Sequence, residues 1–573
     1  MGGYEKSSTL QPGCGRALAF LIASFALAKA ASAQVSTPPP AVEPGRIPQQ
    51  FQPPPAPPEL PQIVTPAAPE NVPPPGAEKV KVTLDHIEID GATVYSQTAL
   101  AALSARYIGH EIALADLFTL ANEITAKYRA DGYILSRAIV PAQRIGKTAR
   151  ITVIEGFVSD VRVEGYDSAR LRAYGEKIKQ SRPLTAADLE RYLLLANDLA
   201  GVTARAVLSP SPDVEGGAVL TLVAEHTLID SQFALDNHGT KYIGPWQFYL
   251  GGGVNVPTMD QRFAARYITT PSARELQYGE LSFTQPLGDD GARFVLYSNY
   301  SNSRPQYTLS PFNDISQGEQ ASATLAYPII RSRAENLEVR ASLAVSDLYL
   351  EVNNNPALPP SSQDHLRMVR TGLNYDIADT LSGVNLVALE LTRGLPSFGA
   401  SANSRPGAVP DFGKLLGQVS REQDLSIIHD GVAAYGAVEF QHGDTGPLPA
   451  SEQFGIGGPL FGRAYDPSDV VGDSGWDGEV ELRYTARPPL VLGGWWNSYQ
   501  LYTFYDDGRV SRNVASVGAP ALSSFGTGVR LAFFDRVNSD IYLAKPLTRD
   551  ESVSYGLPHA RPWRLFMQMS VHL

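Results

Sequence analysis

Residues 448–484 read LPASEQFGIGGPLFGRAYDPSDVVGDSGWDGEVELRY, and residues 501–512 follow with LYTFYDDGRVSR. The first stretch is a long Gly-, Asp- and Pro-rich loop running into a strand. There Val480, Leu482 and Tyr484 alternate with Glu479, Glu481 and Arg483, so one face is apolar and the other charged. In the second stretch Phe504, Asp506 and Gly508 have even spacing and share a face, while Leu501, Thr503 and Tyr505 take the opposite one. An acid on a strand is thereby presented to a basic loop. Singly, neither feature is unusual: an Arg in a Gly-rich loop is commonly a solvated surface residue, and Asp-Gly after a strand is commonly a hairpin turn.

Both features together, in this order, resemble the two-partner secretion transporters (TpsB type), the hemolysin secretion/activation branch of the Omp85 superfamily. The resemblance implies a sixth extracellular loop, usually V-R-G-Y/F, folded into a barrel lumen, where its Arg meets the Asp of an F-x-D-x-G strand motif. The matching residues are Gly462, Arg463, Ala464 and Tyr465 in the loop and Phe504, Asp506 and Gly508 on the strand. The family's preceding L-P-x-x-E-x-F-x-x-G-G is matched by Leu448 to Gly458, and its G-D-x-G-W by Gly472 to Trp476. Ala464 stands where the family usually has Gly, which predicts a loop tip less free in its backbone angles.

Composition agrees with an envelope protein. The 573 residues leave room for several domains, and the net charge of −12 gives no sign of a nucleic-acid partner. Hydrophobic residues make up 43% of the chain, yet the mean hydropathy is −0.13. No apolar run reaches the ~20 residues of a spanning helix, so a membrane protein of this sequence is a barrel. Lys6 and Arg16 precede the apolar segment Ala17 to Ala28, and Ala31-Ser32-Ala33 offers a cleavage site, so residues 1–33 read as a secretory signal. The single cysteine, Cys14, falls within that signal, which removes thiol chemistry from a processed chain.

Residues 34–76 are dominated by Pro, Gln, Ala and Glu and predict an extended, unpacked tether. The family often carries a pore-plugging helix at this end, but no amphipathic helical stripe is present here. Residues 77–157 change texture to strand, helix, helix, strand, strand. Leu114, Leu117, Phe118, Ala121, Ile124 and Tyr128 form one helical stripe, and Gly132 ends it. With the closing Val153 to Gly156, this order resembles the first POTRA domain of the family. Residues 158–229 repeat the plan, with Thr185 and Asp188 capping a second helix. Such modules bind extended polypeptide by adding it to an open sheet edge. Tyr133, Leu135, Arg137 and Ile139, one face of an expected strand from Tyr133 to Val140, are the candidate client-docking residues; the alternative is an interior strand whose side chains only pack.

From residue 230 to 573 helical periodicity disappears. Alternating segments of roughly ten residues separated by Gly, Asn, Asp, Ser and Pro clusters predict an antiparallel transmembrane β-barrel. Leu337, Val339, Ala341, Leu343 and Val345 supply one lipid-facing set, and Leu565, Met567, Met569, Val571 and Leu573 another. The final strand suits closure against the first, near Phe233. The family's barrel has sixteen strands, and about 344 residues gives roughly 21 per strand with its connection, which is compatible. Leu573 replaces the family's usual terminal aromatic, the residue read by the barrel assembly machinery during biogenesis.

Enzymatic motifs are missing from the sequence: no G-x-S-x-G, H-E-x-x-H or P-loop occurs, and the nine His have no ligand spacing, so neither a cofactor nor a metal is expected. The fold expectation is α+β POTRA modules followed by a barrel of about sixteen strands, with residues 448–478 folded into its lumen. By resemblance, the function is translocation of an unfolded exoprotein, a β-helical TpsA-like client, across outer-membrane lipid. An Omp85-type assembly factor, or a passive porin or polysaccharide-export pore, remain the alternatives.

Overall fold

The computed structural model describes residues 39–51, 63–64, 71–352, 361–444, 446–487, 496–513, 520–534, 536–548 and 562–573; the expected signal at 1–33 lies outside them. A two-residue strand β1 (Ile63–Val64) precedes the first αβ module. That module comprises β2 (Lys81–Thr83), β3 (His86–Asp90), α1 (Gln97–Ser104), β4 (Glu111–Ala113), α2 (Leu114–Ala130), β5 (Arg137–Ile139) and β6 (Thr148–Ile154). Helix α2 buries Leu117, Leu120, Ala121, Ile124 and Tyr128, spaced at three and four residues, against Ile87, Ile89, Ala138 and Ile151 of the sheet. Glu155, just after β6, ties the loop following β3 to that helix. It accepts the Thr93 and Val94 N–H groups at 2.7 and 2.9 Å and the Tyr128 hydroxyl at 2.8 Å. Burial opposes its charge, but these donors outweigh burial and hold the carboxyl below the usual glutamate range.

The strand expected over Tyr133 to Val140 is confined to Arg137–Ile139. After Gly132, at φ +91°, the Tyr133 N–H bonds the Tyr128 carbonyl at 2.8 Å and the Ser136 N–H bonds the Tyr133 carbonyl at 3.1 Å. Tyr133 and Leu135 therefore lie in a turn, which the alternation of residue types could not reveal. What remains, β5, is the outer strand of a three-stranded sheet in the order β3-β6-β5.

The second module repeats this plan with β7 (Phe157–Gly165), α3 (Ala169–Gln180), α4 (Ala186–Asn197), β8 (Val202–Pro210) and β9 (Gly217–His226). Thr185 caps α4 by accepting the Asp188 N–H at 3.1 Å. Its sheet runs β1-β8-β9-β7, so the short β1 lies on the outer side of β8.

The remainder closes into a barrel. Its strands are β10 (Ile229–Asp236), β11 (Gln247–Val256), β12 (Gln261–Thr269), β13 (Leu276–Leu287), β14 (Ala292–Ser303), β15 (Ile315–Arg331), β16 (Glu335–Glu351), β17 (Ser361–Ala378) and β18 (Gly383–Gly394). A two-residue β19 (Ser401–Ala402) is followed by β20 (Gly413–Asp424) and β21 (Val432–Gly443). A small hairpin, β22 (Phe454–Ile456) with β23 (Val470–Gly472), sits inside the barrel rather than in its wall. The wall resumes with β24 (Ser474–Ala486), β25 (Trp496–Ser511), β26 (Ala521–Phe533), β27 (Val537–Pro546) and β28 (Arg564–His572). Apart from β19, β22 and β23 this is the expected sixteen-strand barrel, and β28 closes on β10 with Phe233 opposite Val571. Leu343 and Leu565 are 64% and 52% exposed on the outer face, whereas Phe566 is buried inward, as alternation requires. Among the described residues no helix is long and apolar enough to cross a membrane.

Ion pairs seat the second module on the turns after β11 and β13 and on the end of β15. Arg170 meets Asp260 at 3.4 Å, Lys177 meets Asp290 at 3.2 Å, and Arg331 meets Asp198 at 2.6 Å.

Residues 39–51 correct the expectation of an unpacked tether. They form two short 3₁₀ turns, Pro40–Val42 and Pro48–Phe51, inside the barrel. Val42, Ile47 and Phe51 are buried against Ile243, Ile268, Leu276 and Tyr278, and the Phe51 ring lies 5.0 Å from that of Tyr278. The prolines that forbid an α-helix preset the backbone for these turns. Three well-spaced apolar side chains are then enough to anchor the segment to an aromatic wall, although they are too sparse to form a helical stripe.

Candidate functional site

The site is built on two neighbouring strands whose polar faces turn inward. The register of β24 with β25 places Glu479 opposite Asp506 and Glu481 opposite Phe504. Alternation then sends Val480, Leu482, Leu501 and Tyr505 outward, while Glu481, Tyr502, Phe504 and Asp506 are buried inside. Gly508 belongs to the same inner row. A Cβ there would meet the Asp477 Cβ at 2.8 Å, so the glycine permits that close approach.

Loop 448–478 enters the lumen from the side opposite the modules. Asp473 gathers its base, accepting the N–H groups of Leu448 and Asn513 at 2.9 and 2.8 Å and pairing with Arg405. Glu452 pairs with Arg370 at 3.0 Å and Lys414 at 2.8 Å on the wall. The tip turns at Gly457, Gly458 and Gly462, with φ of +106°, +114° and +72°, a region in which a side chain would be strained. Ala464 is outside that region, so its methyl carries no backbone penalty; its carbonyl accepts from Arg564 at 2.8 Å.

Arg463 is 3% exposed and reaches the inner row. Its Nη2 lies 2.5 Å from Asp506 Oδ1, its Nε 3.2 Å from both Asp506 oxygens, and its backbone N–H donates to Oδ2 at 2.9 Å. Nη2 also pairs with Glu479 at 2.7 Å, Nη1 pairs with Glu481, and the guanidinium stacks 3.6 Å above the Phe504 ring. Burial by itself would lower the guanidinium's hold on its proton, but the three carboxylates outweigh it and raise that hold. Glu481 is shared with Arg483 at 2.7 Å and Arg530 at 3.1 Å, and Ser524 donates to Asp506 at 2.9 Å. Tyr465 packs nearby in an apolar cluster with Phe454, Tyr502, Phe504 and Phe566, and its hydroxyl donates to the Ser523 carbonyl at 3.1 Å.

The structure thus brings together Arg463, Asp506, Phe504, Gly508, Gly462 and Tyr465 in one place, 39 to 46 residues apart in sequence between loop and strand. It also adds Glu479 and Glu481, which read in sequence only as the polar half of an alternating strand. Their signal was present in the register: once β24 and β25 are neighbours, Glu479 lies opposite Asp506. Arg46 carried no such signal. Fully buried, it donates to the carbonyls of Ala450 at 3.1 Å and Gln453 at 2.6 Å and to the Ser468 hydroxyl at 3.3 Å, joining residues 39–51 to the loop. Neighbouring Glu43 and, in the loop, Asp469 are carboxyls that burial pushes up to about 7 and about 8, with Arg46 opposing the shift at Glu43 and Asp466 adding to it at Asp469. The docking candidates lie apart from this site: Arg137 and Ile139 on the β5 edge, Tyr133 and Leu135 in the turn before it.

The sequence and the fold resemble those of known proteins. Residues 82–156 match the model of a POTRA domain, ShlB-type, and residues 217–531 match that of the haemolysin secretion/activation protein ShlB/FhaC/HecB. The heme/hemopexin transporter protein HuxB of Haemophilus influenzae is 25% identical over 466 residues, 78% of this chain and 80% of the relative. For HuxB of strain 86-028NP the alignment spans 42% of this chain and 44% of that protein, less than half its length. The outer membrane transporter CdiB of Escherichia coli O6:K15:H31 is 24% identical over 81% of this chain and 82% of its own. Among solved structures, CdiB from Escherichia coli superposes with a TM-score of 0.69 at 20% identity, over 88% of this chain and 94% of that one. BamA from Haemophilus ducreyi lacking POTRA domains 1–3 gives 0.51 at 13% identity, over 86% of this chain and 100% of that one.

Proposed function

The chain belongs to the haemolysin secretion/activation family of ShlB, FhaC and HecB, and on that premise we propose that it docks an unfolded exoprotein on its periplasmic modules and passes it through the barrel to the cell surface, as in two-partner secretion. It resides in the outer membrane, with its POTRA modules in the periplasm. The observation that carries the reading is the occupied lumen. A loop held by Arg463 among Asp506, Glu479 and Glu481 fills the path, together with residues 39–51. A passive porin keeps a water-filled channel open, whereas a polypeptide transporter needs a closed resting state and a movable occupant. In this reading the ion cluster is a positional lock on loop 448–478, and passage of the client requires that loop to shift.

Docking is assigned to the first module, where β5 offers an outer edge carrying Arg137 and Ile139 with Tyr133 and Leu135 beside it. Backbone pairing on such an edge is indifferent to sequence and suits an unfolded client. Export of the client would draw on its folding outside the cell. The fold shared with BamA keeps an assembly factor as the second reading, and one experiment separates the cases. Deleting residues 71–226 from the chain co-expressed with a cognate exoprotein client should abolish appearance of that exoprotein outside the cell and leave the levels of other outer-membrane barrels unchanged. Loss of those barrels would support the assembly factor; unimpaired export would overturn the docking role.

A further inference from the structure

The lipid-facing side of the barrel carries a recess of about 940 Å³ across β10 to β16. Strand register explains its shape. Ser231, Gly252 and Ala265 lie opposite one another on β10 to β12, and Ser298 and Ala321 continue the same row on β14 and β15. A side chain at Gly252 would meet the Asp230 carbonyl at 2.6 Å, so that part of the floor stays low. Leu281 of β13 rises between Ala265 and Ser298 and divides the floor into two bays. The next row toward the periplasm, with Phe263, Phe283, Leu296 and Leu343, walls the recess on that side. Tyr267 and Tyr300 stand in the next row toward the cell surface, as a girdle does where hydrocarbon gives way to headgroups.

The floor row continues past the recess into a polar group. Ala321 lies opposite Val345 of β16, and Val345 lies opposite Arg367 of β17; in the row above, Glu319, Asp347 and His365 lie side by side. Leu366 and Met368 are buried inward, so alternation turns Arg367 and His365 to the outside. Asp347 accepts from Arg367 Nη1 at 2.7 Å, and His365 Nδ1 lies 2.9 Å from the same oxygen. That carboxylate holds both side chains next to each other. Arg367 Nη1 also donates to the Leu366 carbonyl at 2.9 Å, while Nη2 and Nε have no acceptor among the described residues. Glu319, exposed two strand spacings or about 10 Å away, has no cation beside it among the described residues.

We propose that this recess is a lipid site. A glycerophospholipid with a phosphoethanolamine head sets its phosphate on Arg367 and His365, its ammonium on Glu319, and an acyl chain in the bay of Ser298, Ala321 and Ala323. Charge selects the head: a guanidinium fork and an unpaired carboxylate at one end of an apolar recess complement a zwitterion. Shape selects a chain over a protein. Phe263 and Tyr267 on β12, and Leu296 and Tyr300 on β14, are four residues apart, about 13 Å, and their own side chains narrow that gap below the 10–12 Å diameter of a helix. A second copy of this chain would set recess against recess across a two-fold axis and fill neither. An alkyl chain in the bay touches side chains on three sides, whereas one on a convex wall touches them on one, and each added contact contributes dispersion energy.

The test is native mass spectrometry of the full-length chain, stripped of lipid by repeated detergent exchange. It is then titrated with dioleoylphosphatidylethanolamine or with dioleoylphosphatidylglycerol, which has the phosphate and both chains without the ammonium. The unaltered chain should bind one molecule of the first at least about five times more tightly than of the second. Arg367→Gln should weaken binding of both by about tenfold. Glu319→Gln should erase the preference, and Ala321→Phe should weaken both by filling the bay. Leu501→Phe, which adds bulk on the lipid-facing side of β25, should alter neither. The heat-dependent electrophoretic shift of a closed barrel shows that each variant is folded. Undiminished binding by both Arg367→Gln and Ala321→Phe overturns the site, and equal binding of the two lipids by the unaltered chain overturns the assigned head. No client enters the measurement, so its outcome is independent of the transport reading.

Discussion

Replacing Arg463 by Ala is the sharpest test of the lumen lock. The substitution removes a cation from among three carboxylates, but they are not equally exposed to its loss. Glu481 keeps Arg483 at 2.7 Å and Arg530 at 3.1 Å, and Asp506 keeps the residue-463 N–H at 2.9 Å and the Ser524 hydroxyl at 2.9 Å. Glu479 loses its 2.7 Å partner. The net result is about one uncompensated buried charge, which costs on the order of 3–5 kcal/mol. At about 1.4 kcal/mol per decade, the loop's docked-to-released ratio should fall by roughly two to three and a half decades. Amide hydrogen exchange over residues 454–472 in detergent reads that ratio directly. Arg463→Lys should fall between, because it keeps the charge but loses the planar fork and the stack on Phe504. Exchange protection in Arg463→Ala within about threefold of the unaltered chain would refute the lock. The pairwise exchange Arg463→Asp with Asp506→Arg should restore only part of the protection, because the new Asp would face Glu479 and Glu481 as well as the new Arg.

Other consequences are as direct. Arg46→Ala removes three hydrogen bonds between residues 39–51 and the loop; channel recordings in planar bilayers should show a larger open fraction than the unaltered chain, and an unchanged record would separate the segment from the loop. Glu43 and Asp469 have raised carboxyl pKa values, so their contribution to the docked state is complete below the ordinary range near pH 4 and is lost as pH rises through about 7 and about 8. Protease cleavage of residues 39–51 should accordingly increase from pH 5 to pH 8.5. Arg46, Arg405 and Asp364 remain as neighbours of Glu43 in Glu43→Gln, which should flatten the lower part of that curve. In the first module Glu155 has the opposite sign: its stabilisation is present above the ordinary glutamate value and is lost as pH falls through its lowered one. Glu155→Gln should cost about 1–3 kcal/mol by thermal unfolding at neutral pH, and the penalty should shrink in acid.

Elements with a strong period were legible from residue types. The α2 stripe, the Thr185 cap and the alternation of β24, β25 and β28 each depend on neighbours close in sequence, and the structure places them within a residue or two. Pairing of Arg463 with Asp506 was legible only through a resemblance, since nothing local says that a loop turns inward. The second and third carboxylates were hidden because Glu479 and Glu481 acquire meaning from strand register, a long-range property. Residues 39–51 were misread for a related reason. Proline-rich composition reports what a segment does by itself, and the partners that fold this one, Tyr278 and the loop carbonyls, come from about 230 and 400 residues downstream. The shortening of β5 is different in kind: Tyr133 and Leu135 have strand-like side chains, and a turn held by backbone bonds after Gly132 overrides them.

The hairpin of β22 and β23 rests on Tyr502, Phe504, Leu522, Tyr542 and Phe566, which belong to four successive strands, β25 to β28. Those strands follow the hairpin in the chain, and β28 makes the closing seam with β10. The final quarter of the wall therefore has its greasy inner side matched to cargo that the chain itself delivered earlier. Such a cylinder is wrapped around a template, and a chain lacking residues 454–472 should zip its seam slowly, with its aromatic lining left in water.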